Sequence, residues 1–511
     1  MLRTWLASLL LLVAAAPGAA DPRLPAIFSD HMVLQQQMPL GVWGWAAPDE
    51  RIEVRLRAQR VATTADRQGR WQVTLAPEAA GGPDELVVAG ATTTKRFTDV
   101  LIGEVWIGSG QSNMQWEVRL AQDADAEIAA ASHPRIRLFS VKRVTALEPK
   151  DDITPMDAAP TWTAVTPASI PNFSAVGYFF SRELQKARNV PIGFIHSSWG
   201  GTPAEAWTRR DVLVDDPALQ PLLAQYRRIQ GEYPALRYGY ERRQTIWSDA
   251  LKAWQAGNPT APPMPGMPAP RGGPDDPHRP GSLWNAMIAP ITPFAVRGVL
   301  WYQGEANALR AWDYQRLMTA MIQDWRRAFN RGDLPFLFVQ LANFRQHPPN
   351  PGASWWAEVR EAQRLTLGLP NTGMASAIDI GNPDDIHPLN KQEVGRRLAL
   401  AARAVAYGEP IESAGPEYEG MTIEGGKVRV RFRHTGSGLV FDAAKGSGLV
   451  VAGVDGVFKP ATAVVDGGTL VVSSPEVAAP IAVRYGWEDN PVTSLRNKEG
   501  LPASPFRTDT Y

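Results

Sequence analysis

"VLIGEVWIGSGQSNMQW", residues 100–116, is the stretch on which the fold turns. Val100, Leu101, Ile102, Val105, Trp106 and Ile107 make its first half apolar on both alternating faces. That pattern predicts a strand buried on both sides, as in a parallel sheet covered by helices. The run then breaks into glycines, and Ser112 follows them. Ser112 is either a turn residue or a hydroxyl delivered to a cleft by the strand before it.

Working outward, the same rhythm recurs over about 99–408. "VPIGFIHSSWGG" (190–201) follows a helical pattern at 175–188. "VRGVLWYQGEAN" (296–307) precedes a helix at about 312–330, and "LPFLFVQL" (334–341) precedes one at about 355–367. "MASAIDIG" (374–381) precedes one at about 390–407. Near-continuous apolar strands alternating with helices predict an α/β domain with a parallel sheet covered on both faces. Within it, about 211–283 reads as an insertion. It opens with charged helical sequence and closes in the Pro/Gly-rich "PTAPPMPGMPAPRGGPDDPHRPG" (259–281), a surface excursion.

The flanks have period two instead. Over 21–98, Ile52, Val54 and Leu56 alternate with Glu53, Arg55 and Arg57, and Trp71, Val73 and Leu75 repeat the pattern. Over 409–511, Val428, Val430 and Phe432 alternate with Arg429, Arg431 and Arg433. Both flanks are expected to be β-sandwich-like. Residues 1–20 read as an export signal: Arg3, an apolar run from Trp5 to Ala16 too short to span a bilayer, Pro17, then small residues. No later segment reads as a membrane span, so the mature chain is expected to be periplasmic or secreted, with no membrane partner.

Composition narrows the function. The 511 residues are too many for one core. Lys plus Arg equals Asp plus Glu, 52 against 52, so no net field draws the chain to nucleic acid. The absence of Cys excludes disulfides, thiolate catalysis and Cys-type zinc sites. No metal or other cofactor is expected. The 18 Trp, many near Gly, Gln and Asn, suit core packing or sugar faces.

Ligands of an open parallel sheet bind beyond the carboxyl ends of its strands. There the strands deliver Gln111-Ser112, Trp199-Gly200-Gly201, Gln303-Gly304-Glu305-Ala306-Asn307, and Asp384-Asp385-Ile386-His387. These are the parts of acyl transfer. A serine hydroxyl needs an adjacent base. A carboxylate must orient that base. Backbone N–H groups of Ser112 and of Gly200 or Gly201, with the Asn307 amide, can meet an oxyanion. Among the seven histidines, His387 alone follows a strand end, has acids two and three residues upstream, and precedes a capped helix (Asn390, Glu393). His196 reads as a core residue, and His278 lies in the Pro-rich stretch.

Together "GSGQSNM" (108–114), "HSSWGGTPAEAW" (196–207), "WYQGEAN" (301–307) and "DIHPLNKQEVGRRLA" (385–399) resemble the sialate O-acetylesterase family of the SGNH-hydrolase superfamily. The resemblance covers most of the chain. It implies a flavodoxin-like α/β/α SGNH hydrolase domain with flanking β-domains, and metal-free hydrolysis of acetyl esters on sugars. It implies Ser112 as nucleophile and first oxyanion donor, Gly201 in preference to Gly200 as the second, Asn307 as the third, and His387 as base. The superfamily's usual acid falls on Asp384 and this family's own string on Asp385. Asp384 is preferred because three residues form one turn that returns a carboxylate to the imidazole, and Asp385 stays a rival. Gln303 and Glu305 resemble family residues lining the pocket. With Gln111 and Trp199 they are the candidates for reading the sugar. The expected substrate is acetylated plant hemicellulose (xylan, xyloglucan) or O-acetylated sialic acid. The alternatives are a carbohydrate-binding protein with an inactive hydrolase domain, and a general lipase or thioesterase, against which stands the lack of a long apolar lid.

Overall fold

The computed structural model describes residues 22–154, 162–257, 269–346 and 354–509. The segment read as an export signal, 1–20, lies outside them. The quoted stretch is the centre of the molecule. Thr94–Gly110 is one strand of 17 residues, buried without a break from Val100 onward. On one side it pairs in parallel with Gly298–Tyr302, which leads to Phe336–Gln340 and then Thr372–Ser376. On the other it pairs in parallel with Ile192–Ser198, which leads to His133–Ser140. Antiparallel Thr163–Val165 closes that edge. His133–Ser140 is a strand the sequence hides, because Pro134, Arg135 and Arg137 mask its apolar end. Arg137 is buried by turning to Asp99, 2.6 Å away.

Both faces of the sheet are covered, as continuous apolar strands require. Trp106 stacks edge-on against Phe180 of helix Ala175–Arg188. The same face takes helix Lys391–Tyr407, whose Tyr407 hydroxyl accepts the Trp106 indole N–H. Trp301 lies on the opposite face, since its sheet partner is Ser109 and not Gly108 or Trp106. It packs against Trp325 of helix Ala311–Phe329. Helix Trp355–Thr366 packs beside that one.

The N-terminal region has two layers. Leu40–Trp45 pairs with Arg70–Leu75. Arg51–Leu56 pairs with Gln59–Thr64 and Gly81–Ala89, and the last of these pairs with the start of Thr94–Gly110. The expected boundary at 98/99 therefore falls inside one strand, and a single hydrophobic core runs from Ile27 to Ala402. The C-terminal region has its own core. Val428 and Val430 are fully buried with Leu470 and Val472, while Arg429 and Arg431 face outward, as the alternation predicts. The insertion contains a helix of 36 residues, Gln220–Gln255, and its tail returns to the body from residue 269.

Candidate active site

The carboxyl ends of the parallel strands, at Gly110, Ser198, Tyr302, Gln340 and Ser376, share one edge. Gly110 ends the central strand at φ +129°, and a Cβ there would lie 2.2 Å from the Tyr302 carbonyl oxygen. Only glycine fits that approach. The chain reverses, the Gln111 N–H donates to the Tyr302 carbonyl at 3.0 Å, and Ser112 opens the one-turn helix Ser112–Gln115. As first residue of that turn, Ser112 has an N–H with no intrahelical acceptor.

His387 reaches Ser112 from the far end of the sheet. Its Nε2 lies 2.9 Å from Ser112 Oγ. Asp385 Oδ1 lies 3.1 Å from its Nδ1 and accepts the His387 backbone N–H at 2.9 Å. Trp116 stacks on the imidazole, with centroids 4.6 Å apart and planes 16° apart. The helix behind is capped by Asn390, whose side chain accepts the Glu393 N–H at 3.0 Å. Glu393 does not complete a capping box; its carboxylate pairs with Arg396 and Arg397.

The preference for Asp384 is corrected by this geometry. Asp384 Oδ1 accepts from Gln346 Nε2 at 2.6 Å and lies on the outer side of the loop. An Asp side chain folds back most readily on the backbone two residues ahead. That places Asp385, not Asp384, against the N–H and the ring of His387. Burial holds the His387 pKa below its ordinary value, and the Asp385 carboxylate offsets part of that effect. The imidazole is thus neutral, and able to accept a proton, around neutral pH.

The candidate donors lie in two further loops at the same sheet edge. The Gly200 N–H is occupied by Gln115 Oε1 at 2.8 Å. The Gly201 N–H has no hydrogen-bond partner among the described residues, and Gly201 sits at φ +76°. Asn307 is 2% exposed. Its Oδ1 accepts from the Ala204 N–H at 3.0 Å and from Gln303 Nε2 at 2.7 Å. One amide hydrogen goes to Glu205 Oε2 at 3.0 Å, which leaves the second for a ligand. Arg310 neutralises Glu205 from behind.

Several residues expected to read a sugar serve as braces instead. Gln303 is fully buried between Asn307 and the Tyr314 hydroxyl, 2.8 Å from its Oε1, and has no surface to offer a substrate. Gln111 is 3% exposed, and its Oε1 accepts the Ala306 N–H at 3.1 Å, tying the serine turn to the Asn307 loop. Glu305 accepts from Asn113 Nδ2 at 2.6 Å, and burial raises its pKa. Each is amphoteric or acidic and sits among backbone groups that burial obliges it to satisfy. Trp199 is half-buried and packs against the main core.

No pattern in the chain marks Lys391. It is fully buried, donates to Asn113 Oδ1, and is lowered by burial to a pKa of about 7. Asn113 also donates to the Ile386 carbonyl at 3.1 Å, one residue before His387. Gln115 and Glu205 were equally silent, since an amide or acid in a loop carries no periodic signal. His196, expected in the core, is half-buried and bonded to Ser198 Oγ at 2.6 Å, with burial lowering its pKa to about 4. No cluster of His, Cys, Asp or Glu among the described residues is arranged to hold a metal ion.

A hydroxyl, an imidazole and a carboxylate stand within hydrogen-bond reach of one another, an arrangement with which ester hydrolysis can be carried out, and the chain is similar to known esterases. The family model for carbohydrate esterase, sialic acid-specific acetylesterase, matches residues 102–231 and 271–404. Sialate O-acetylesterase of Mus musculus is 34% identical over 439 residues, covering 76% of this chain and 74% of that protein. The Homo sapiens protein of the same name is 31% identical over 423 residues, covering 76% and 71%. The crystal structure of a carbohydrate acetylesterase from Xanthomonas citri is 40% identical, with TM-score 0.80 over 96% of this chain and 100% of that one. The protein is therefore a carboxylic-ester hydrolase. It belongs to the family of sialic acid-specific acetylesterases among the carbohydrate esterases.

Proposed function

We propose that the protein is a secreted carbohydrate O-acetylesterase working through an acetyl-enzyme on Ser112. The observation that carries this reading is the line Ser112 Oγ, His387 Nε2, His387 Nδ1, Asp385 Oδ1, with gaps of 2.9 and 3.1 Å. His387 takes the Ser112 proton as Oγ attacks the acetyl carbonyl. Asp385 holds the tautomer and steadies the imidazolium. The oxyanion is met by the N–H groups of Ser112 and Gly201 and by Asn307 Nδ2. The sugar alcohol leaves with the proton from His387. Water, deprotonated by His387, then releases acetate. No cofactor enters these steps.

The proposed architecture is the flavodoxin-like α/β/α arrangement of SGNH hydrolases, with β-sandwich-like flanks at 21–98 and 409–511. The proposed location, periplasmic or secreted, rests on the signal-like 1–20. No helix among the described residues is long and apolar enough to cross a membrane.

The sugar side falls to Trp199 and to Trp312, which is 68% exposed five residues beyond Asn307. A flat indole suits the apolar face of a pyranose. Acetylated hemicellulose (xylan or xyloglucan) is the first substrate proposed, as one acetylated carbohydrate such an esterase could take; the Xanthomonas citri structure is that of a carbohydrate acetylesterase. O-acetylated sialic acid is the second, because the mammalian relatives are sialate O-acetylesterases. Acetate release from acetylated xylan, xyloglucan and 9-O-acetylated sialic acid, with wild type and Ser112→Ala, decides among them. Loss of all release in Ser112→Ala is expected. Equal rates would return the protein to the alternative of a carbohydrate-binding role.

A further inference from the structure

The loop that carries His387 has a near copy elsewhere in the chain. Residues 381–387 read GNPDDIH and residues 272–278 read GGPDDPH. The second copy lies at the end of the insertion, and it folds the same way at its acid–histidine pair. Asp276 Oδ1 accepts the His278 backbone N–H at 2.9 Å and lies 2.9 Å from His278 Nδ1. The corresponding distances from Asp385 Oδ1 to His387 are 2.9 and 3.1 Å. In the first copy Nε2 points at Ser112 Oγ. In the second, Nε2 points at the Gly201 carbonyl oxygen, 3.1 Å away.

We propose that His278, held by Asp276, is a positioning residue that fixes Gly201 as an oxyanion donor, so that the returning limb of the insertion is part of the catalytic apparatus. The proposal rests on the reading of Ser112 as nucleophile and Gly201 as donor. Gly201 needs such a restraint. It is exposed and adopts φ +76°, and its own N–H has no partner among the described residues. Glycine unrestrained by neighbours samples a wide range of backbone angles. Its carbonyl, in the 201–202 peptide, is bonded to His278; that bond anchors Gly201 on its C-terminal side and so narrows the backbone angles open to it, while its own N–H belongs to the 200–201 peptide before it.

The restraint is itself anchored. Asp276 is 7% exposed, accepts the Gly272 N–H at 2.6 Å, and accepts the hydroxyl of Tyr226 at 3.1 Å. Tyr226 belongs to the long helix Gln220–Gln255, so both limbs of the insertion grip the same carboxylate. Hydrogen bonds from His278 and Gly272 outweigh burial and keep that carboxylate ionised. The limb also reaches the third donor: the Gly281 N–H bonds the Glu205 carbonyl at 3.0 Å, and the Glu205 side chain orients Asn307.

The test uses the full chain and p-nitrophenyl acetate, with active sites counted by a fluorophosphonate that labels Ser112. His278→Ala is expected to lower kcat per labelled site roughly tenfold or more, with KM changed less than threefold, since an oxyanion donor acts in the transition state. His278→Gln, which keeps a donor toward Gly201, is expected to fall between the two. Inhibition by a boronic acid, whose adduct is tetrahedral, should weaken in step with kcat. A merely structural role would lower the labelled fraction and leave kcat per site and boronate affinity unchanged; that result overturns the proposal. If His278→Ala does not fold, His278→Gln and Asp276→Asn are read by the same two measures, and wild-type values in both overturn it. Activity retained in Ser112→Ala would instead defeat the catalytic reading on which the proposal stands.

Discussion

Asp385 and not Asp384 faces His387: the Asp385 carboxylate is 3.1 Å from Nδ1, while Asp384 is bonded to Gln346. Adjacent acids in one loop thus have separate tasks. Asp385→Asn should reduce kcat by roughly 10²- to 10⁴-fold, because the amide favours the wrong tautomer of the base. Asp384→Asn should stay within about threefold of wild type, as expected of a substitution away from the reacting groups. Steady-state kinetics on p-nitrophenyl acetate compares the two, and the reverse order would reassign the acid.

The pH profile follows from the direction of the His387 shift. The base works only when neutral, so activity is lost as pH falls through its pKa. Burial places that pKa below the ordinary 6.5. The acidic limb of kcat/KM should therefore have its midpoint under pH 6.5, with a plateau through neutrality. A midpoint above 6.5 would mean that the Asp385 carboxylate outweighs burial.

Asn307 is set by three contacts before any substrate arrives. Asn307→Ala should cost roughly 10²- to 10³-fold in kcat with KM little changed, the usual cost of one oxyanion donor. Gln303→Leu should act more weakly on kcat and also destabilise the fold by about 1–3 kcal/mol, because Tyr314 and Asn307 lose a buried partner. Kinetics and urea unfolding on the same samples separate the two effects. Equal kinetic losses would mean that Gln303 touches substrate.

Lys391 and Glu305 meet through Asn113 in the buried layer below Ser112 and His387. Lys391→Met leaves the buried Asn113 Oδ1 without its donor and should destabilise by about 1–3 kcal/mol. Lys391→Met combined with Glu305→Gln should recover part of that loss. Denaturant midpoints for the single and double variants decide it. A double variant no more stable than Lys391→Met would show that the two residues are not coupled.

The glycines at the two turns should respond differently. Gly110→Ala places a methyl 2.2 Å from the Tyr302 carbonyl at φ +129° and should unfold or severely destabilise the chain, by about 3 kcal/mol or more. Gly201→Ala meets open space and carries only the cost of its positive φ, about 1–2 kcal/mol. Thermal melts test this contrast, and a mild Gly110→Ala would mean that the strand end can move.

The sequence by itself determined the α/β core and the chemistry available at its edge. Strands buried on both faces must be apolar throughout, so Val100–Ile107 and the runs within 190–201, 296–307 and 334–341 were visible, whereas the edge strand Thr372–Ser376, half-buried, only overlaps the run read at 374–381; the loops after these strands carried Ser112, Gly201, Asn307 and His387. Residues one position apart in a loop have no such signature. Only the tertiary structure decided that Asp385 faces the imidazole, that Gly200 is spent on Gln115, and that Gln303 and Gln111 brace the site from within. It alone brought His278, 77 residues distant in the chain, onto the Gly201 carbonyl. Periodicity records which face of an element is buried. The direction of a single polar side chain is set by whichever distant donor or acceptor packing places beside it, and linear order does not contain that distance.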